Sequence, residues 1–484
     1  MSAALTGLEP ALLWERFAEL TRIARPSKAE GPARDHVLAW AAARSLEARV
    51  DQEGNVVVSV PASSGRERAP VVVLQSHLDM VCERDPTSQF DPREGRINVD
   101  VEDDWVVADG TTLGADNGIG VAAALAVADD SAVAHGPLEL LFTVSEEQGL
   151  DGAKALDASL VTGHLLVNLD GTSNDALTVG CAGSLHSFVR VRLELDSLER
   201  DDVALGVVLS GGQGGHSGGD IGSGRVNAVK ALGRILTRSF EQEPFRLALF
   251  SGGVSRNAIP RDARAVVVLE PTAEPAFRAA AEQELAALRE QYRGSDDGLA
   301  LAIDRIEGTA SVGERATART LDLVTTIPTG VVAMSPQLPG VVETSTSLTV
   351  ATTEGDVLTL ASMTRSSNAP ALDDVAATIA AAARLGGATI EVVRSYPPWR
   401  PDPDSRLLGS AKATYSRLFG VEPVLTVVHG GLECAVLGQK LPGAEMISIG
   451  PEIVGLHAPG EKVRISSTQR FYRLLGALLD ELSR

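Results

Sequence analysis

Four short turns between residues 71 and 170 bring an acid or a histidine to the border of an apolar segment. Val71-Val72-Val73-Leu74 runs into Ser76-His77-Leu78-Asp79, Leu138 to Val144 into Ser145-Glu146-Glu147, and Leu165 to Leu169 into Asp170-Gly171. Gly114-Ala115-Asp116-Asn117-Gly118 stands directly before an Ala/Val/Leu run. If these turns meet at one sheet edge, they form a hard, carboxylate-rich pocket. That is the chemistry of a two-metal hydrolase.

Each turn also has a plainer reading. His77 and Asp79 share a face if they lie on a regular strand, and Asp79 could then hold the imidazole in one tautomer; a capped surface pair is the alternative. Asp116 is placed either to cap a helix or, between Gly114 and Gly118, to approach two cations closely. Glu146 and Glu147 point different ways unless the chain turns. One could bind metal and the other accept a proton from water, or both could simply be solvated. Gly171 relieves crowding beside Asp170. Of only eight histidines, His216, His429 and His457 fall in Gly-flanked loops, which argues for use at a site.

The elements that must position these residues alternate between strand and helix. Helical spacing covers Leu12 to Ala24 and Glu30 to Glu47, β-branched runs cover Val56 to Val60 and Val71 to Leu74, and Ile119 to Val127 reads as an Ala-rich helix. Alternation of this kind implies an α/β sheet flanked by helices. After Gly183 come strands at Phe188 to Leu195 and Val203 to Leu209, a helix near Arg225 to Arg238, strands near Leu247 and Val266, and a helix from Ala273 to Tyr292. Leu348 to Thr353, Val357 to Thr364, Asp373 to Leu385 and Ile390 to Arg394 look like a second set of the same kind, with no clear sequence repeat. The proline-rich stretch Pro397 to Pro403 reads as a linker, and the α/β texture returns after it. The expected organisation is a catalytic domain over 1–183, an inserted α+β domain over 184–397, and completion of the first domain over 398–484.

At 484 residues the chain is too long for one core. Its 43 Lys+Arg against 64 Asp+Glu give a formal charge of -21, which disfavours nucleic acid or an anionic membrane as partner. Cys82, Cys181 and Cys434 fit neither a zinc knuckle nor a disulfide framework, which suits a reducing compartment. Without a signal-like start or a run of roughly 18 apolar residues, the expected location is cytoplasmic.

The turns also carry a family resemblance. Gln75-Ser76-His77-Leu78-Asp79-Met80-Val81, Gly110 to Gly118, Ser145-Glu146-Glu147, Asn168-Leu169-Asp170 and His457 resemble the M20 family of metallopeptidases. Gly214 to Ile221, Ser255 to Pro260 and His429-Gly430-Gly431-Leu432-Glu433-Cys434 are similar to its PepD branch, the aminoacyl-histidine and cytosolic non-specific dipeptidases. Ser76 stands where that branch usually has glycine.

The resemblance implies two divalent ions, zinc first and manganese or cobalt as alternatives, with Asp116 bridging them. His77 and Asp170 would complete one metal, Glu147 and His457 the other. Glu146 would be the general base, Asp79 would orient His77, and His216 would stabilise the oxyanion. Asn257 and Arg365 would hold the substrate carboxylate, with backbone donors from Gly430 and Gly431. Glu433 would either bind the substrate amine or support its loop. The inserted domain would act as a lid and join two subunits as a homodimer. The implied reaction is hydrolysis of unblocked dipeptides, with Xaa-His and β-Ala-His as candidates. A tripeptidase or an N-acyl amino acid deacylase is the alternative within the family, and a non-catalytic dimeric binding protein the alternative outside it.

Overall fold

Val56–Val60, Val72–His77 and Leu138–Thr143 are nearly continuous apolar runs, and each is buried almost throughout. Strands of that kind belong inside a sheet covered on both faces. The computed structural model, which describes residues 3–173, 175–197, 202–307 and 310–484, places them so. Contacts divide the chain into two units: residues 1–181, 399–428 and 432–484 form one, and residues 182–398 with 429–431 form the other.

The first unit is built on an eight-stranded mixed sheet in the order Glu47–Val50, Val56–Val60, Leu138–Thr143, Val72–His77, Leu165–Asn168, Glu445–Ser448, Ala176–Cys181, Val424–Val428. Val72–His77 runs parallel to both Leu138–Thr143 and Leu165–Asn168. Their carboxyl ends therefore share one edge, where open α/β sheets bind ligands. The helix Ala115–Asp129 is buried nearly all round, as expected of a core helix with apolar side chains on every face. The helical pattern read over Glu30 to Glu47 is shorter in the structure. The helix ends at Ala43, Ser45 turns with φ 56°, and Glu47–Val50 pairs with Val56–Val60 as an edge strand.

Four short strands make a second sheet in the order Ile453–Val454, Lys462–Arg464, Trp105–Ala108, Val99–Glu102. Its hairpin carries His457 in the loop between residues 454 and 462, and the strand Trp105–Ala108 leads into the Asp116 turn. The prolines after Tyr396 stand where the chain passes from the second unit back to the first. Trp399 is buried, and its amide and carbonyl pair with those of Cys181 at 3.0 and 2.9 Å.

The inserted unit is two similar βαββαβ sets in one sheet. Val203–Ser210, helix Ala228–Gln242, Arg246–Gly252, Ala263–Leu269, helix Glu274–Gln291 and Ala300–Ile306 form one. Gly183–Arg192, helix Glu314–Thr326, Val342–Glu354, Val357–Ser366, helix Ala369–Leu385 and Thr389–Tyr396 form the other. The strand order of the first set is mirrored in the second, and the two meet where Gly252 faces Ala351. A single hydrophobic cluster takes in buried residues from all four helices and from one sheet face, including Val189, Leu205, Val207 and Leu360. Ser184, His186 and Phe188 alternate with Leu185 and Val189, and so lie on the opposite face.

Candidate metal centre

The strand Val72–His77 ends on the first candidate ligand. Asp79 lies beyond that end, so it meets His77 through a turn and not along one strand face: its backbone oxygen is 3.2 Å and its carboxylate 3.4 Å from His77 Nδ1. With Nδ1 committed there, Nε2 is the free nitrogen. It lies 3.1 Å from Asp116 Oδ1 and 3.5 Å from Asp170 Oδ1. The other oxygen of Asp116 faces His457, whose Nε2 is 3.4 Å from Asp116 Oδ2 and 3.0 Å from Glu147 Oε2. Asp116 thus presents one oxygen to each of two histidines. No side-chain cap is made at the start of its helix, where Asp116 itself has non-helical φ and ψ.

The chain does turn at Ser145, with φ 50°, and both following glutamates reach the cluster. Ligand atoms of His77, Asp116 and Asp170 lie within 4.8 Å of one another, as do those of His77, Glu146 and Glu147 and those of Asp116, Glu147 and His457. Asp79 holds the turn by accepting the Glu146 amide at 3.0 Å, the Glu147 amide at 3.2 Å and the Ser27 hydroxyl at 2.7 Å. Burial alone would raise the Asp79 pKa, but hydrogen bonds from His77, Ser27 and the Glu146 amide bring it down to about 2.

The support around these residues is buried, and Arg25 lies outside every motif. Arg25 donates to the carbonyls of Leu78 and Asp79 at 3.0 Å each and to that of Gly114 at 2.5 Å. Glu461 accepts from the amides of Leu113, Gly114 and Asp116 at 2.9, 3.0 and 3.2 Å. Gly114 has φ +66°, and a Cβ there would lie 2.5 Å from Arg25 Nη2 and 2.6 Å from Met80 Sδ, so only glycine fits the turn. Glu433 is fully buried and accepts from Gln75 at 2.5 Å and Thr143 at 2.7 Å. Gln75 in turn accepts from Asn168 at 2.6 Å, and Asn168 accepts the Asp170 amide at 3.2 Å. One oxygen of Glu433 thus ties the strand ends together, while Oε1 is buried without a partner.

Charge decides what such a cluster can hold. Burial raises Asp170 to about 7, with Asp116 adding to the shift, and burial likewise lifts Glu146 well above the carboxylate range, with Asp170, Glu433 and Glu147 contributing. Asp116 and then Glu147 push His457 up to about 10. Glu147 Oε1 is buried with no hydrogen-bond partner. Carboxylates this close need positive charge among them, and two imidazoles with four carboxylates are hard-to-borderline donors suited to divalent zinc, manganese or cobalt. The residues fit a two-ion centre, with Asp116 placed to share.

The inserted unit holds the remaining expected residues. His216 Nδ1 accepts the amides of Gly218 and Gly219 at 3.3 and 3.0 Å, which leaves the ring proton on Nε2. Ser217 donates its amide to the Asn257 carbonyl at 2.8 Å, while the Asn257 side chain is exposed. Arg365 is only 3% exposed, donates to the Tyr396 hydroxyl at 3.1 Å and leaves Nε without a partner. Among the described residues, no carboxylate lies within ion-pair distance of it. A buried cation without a counter-ion is a place for an anion. His429, which the linear reading assigned to 398–484, packs with the inserted unit: its Nε2 is 2.7 Å from Ser345 Oγ. Gly430 follows it, and a Cβ on Gly431 would stand 2.9 Å from the Tyr396 ring.

Two outcomes are expected. Glu461→Ala frees three amides of the Asp116 turn and should weaken ion affinity about 10–100-fold with the fold retained, as measured by metal content after dialysis and by circular dichroism. Unchanged affinity would remove Glu461 from the site's support. His429 is held at about 4, well below the ordinary histidine value, by burial first and then by Arg365 and His216. Because the unfolded chain binds that proton more readily, this contribution is full above pH ~6.5 and is lost as pH falls towards ~4, by on the order of 2–3 kcal/mol. His429→Gln should flatten the pH dependence of denaturant unfolding in that window; a slope equal to wild type would contradict it.

Known proteins resemble this chain over nearly its whole length. The model of peptidase family M20/M25/M40 matches residues 73–481. The cytosol non-specific dipeptidase of Escherichia coli (strain K12) is 35% identical over 479 residues, covering 99% of each chain. The crystal structure of aminoacylhistidine dipeptidase from Vibrio alginolyticus superposes with a TM-score of 0.92 at 35% identity, over 98% of this chain and 97% of that one. A tripeptidase from Staphylococcus aureus shares the fold at a TM-score of 0.58 and 16% identity, over 99% of each chain. With the family model spanning most of its length and a relative aligned end to end, this chain belongs to peptidase family M20/M25/M40.

Proposed function

We propose that this M20 peptidase hydrolyses the peptide bond of unblocked dipeptides, with Xaa-His and β-Ala-His among its substrates. The observation that carries the reading is Asp116, whose two oxygens face His77 and His457 separately. Two full-length relatives named as dipeptidases, one cytosolic and one acting on aminoacyl-histidines, support the substrate class and a cytosolic location. Among the described residues no helix is long and apolar enough to cross a membrane.

His77 and Asp170 would hold one ion and Glu147 and His457 the other, with Asp116 shared and zinc the preferred metal. When bound, such ions polarise a carbonyl and lower the pKa of water. Glu146, raised by burial and by its acidic neighbours, takes a proton from the attacking water and returns it to the leaving amine. Asp79 keeps His77 oriented. His216 carries its proton on Nε2, ready to donate to the carbonyl oxygen as charge develops there. Arg365, with Asn257 and the backbone of Gly430 and Gly431, receives the substrate carboxylate, since a guanidinium matches that group bidentately.

In this reading the inserted unit is the lid and also joins two subunits. The strand Gly330–Met334 exposes Val331, Val332 and Met334 by 41%, 50% and 49%, a surface suited to self-association. Light scattering would show the dimer or a monomer.

Glu146→Gln should lower kcat by about 10²–10⁴-fold while leaving metal content at the wild-type level. Loss of metal together with activity would mean that the adjacent glutamates have exchanged roles. A panel of free dipeptides, tripeptides and N-acyl amino acids, assayed on metal-loaded enzyme, should show turnover concentrated in the dipeptides; turnover confined to either of the other classes would overturn the substrate assignment.

A further inference from the structure

The helix-free face of the inserted sheet continues beyond Arg365 as an ordered set of side chains. Register places Arg365 and Tyr396 on either side of Ser184, and Met363 and Val393 on either side of His186. Side chains two residues apart on a strand point the same way and stand about 7 Å apart. His186 therefore occupies the next row of the same face after Ser184, and Phe188 the row after that. His186 and Phe188 stack with ring centroids 6.0 Å apart and planes 19° from parallel. The guanidinium of Arg256 lies 5.1 Å from the centre of the Phe188 ring.

This patch has features of a binding surface as well as of packing. His186 Nδ1 is buried and has no hydrogen-bond partner. Burial, with Arg256 and Arg365 adding to it, lowers the pKa of His186, so the ring is neutral at pH 7. A neutral imidazole with an unpaired nitrogen accepts either a donor or an acceptor, according to tautomer. Val393 is 43% exposed beside it, while Met363 closes the other side at 4% exposed. The row therefore presents an aromatic and aliphatic wall with one unsatisfied ring nitrogen, a single row away from a buried arginine that has no carboxylate partner.

Resting on the dipeptidase reading, we infer that His186 and Phe188, bordered by Met363, Val393 and Arg256, form the subsite for the side chain of the dipeptide's carboxyl-terminal residue, and that it favours imidazole and aromatic rings. With the α-carboxylate on Arg365, one strand row matches the reach from that carboxylate to a ring on the same residue. Stacking on His186 and Phe188 serves any planar ring. Pairing with His186 Nδ1 serves imidazole in particular.

The test is kcat/KM on Ala-His, Ala-Phe, Ala-Ala and Ala-Asp with metal-loaded wild type, His186→Ala and His186→Phe, alongside metal content and thermal midpoint. Wild type should prefer Ala-His and Ala-Phe to Ala-Ala by about tenfold or more, the order of gain expected from burying one ring. His186→Ala should lose that preference while Ala-Ala changes less than twofold. His186→Phe should keep Ala-Phe and lose Ala-His, with metal content unchanged in both variants. An equal loss on all four substrates, no loss on any, or a wild-type preference for Ala-Asp would overturn the subsite and leave the dipeptidase reading standing. Failure of loaded wild type to cleave any dipeptide would overturn both.

Discussion

Negative charge is concentrated at the carboxyl edge of three parallel strands, and the first unit is arranged around keeping it there. Asp116, Glu146, Glu147 and Asp170 stand around His77 and His457; burial, with acidic neighbours adding to it, raises Asp170 and Glu146, and Asp116 and Glu147 raise His457. Carboxylates this close in an interior must take up protons or share cations. Buried hydrogen bonds hold the surrounding turns. Arg25 holds three carbonyls, Glu461 holds three amides, and Glu433 ties Gln75 to Thr143 beneath the ligands.

The inserted unit poses the opposite electrostatic problem. Arg365 is buried without a carboxylate partner, and its charge helps keep His429 and His216 neutral. One unit thus demands cations and the other an anion.

Much of this was legible because metal ligands need particular donors at strand ends. The His77, Asp116, Glu146-Glu147 and Asp170 turns stood out as acids or a histidine after apolar runs, and His457 as a histidine in a loop rich in glycine and proline. The supporting layer was not legible. Arg25 lies at the end of an ordinary helical stretch, and nothing in its neighbours announces that it will reach residues 78, 79 and 114. Glu461 sits four residues beyond His457, yet its three amide partners are more than 340 positions away. His429 read as part of the returning α/β segment, but Ser345 draws it into the inserted unit. A second set of strands and helix was visible in the inserted segment, but its mirrored βαββαβ order was not, because one set is spliced into the other after its first strand.

The central claim is that Asp116 is shared by two ions. Diffraction from metal-loaded crystals, collected on both sides of the metal's absorption edge, tests it most directly. The account predicts two anomalous peaks, one among His77, Asp116 and Asp170 and the other among Asp116, Glu147 and His457. A single peak, or two peaks of which only one borders Asp116, would contradict it.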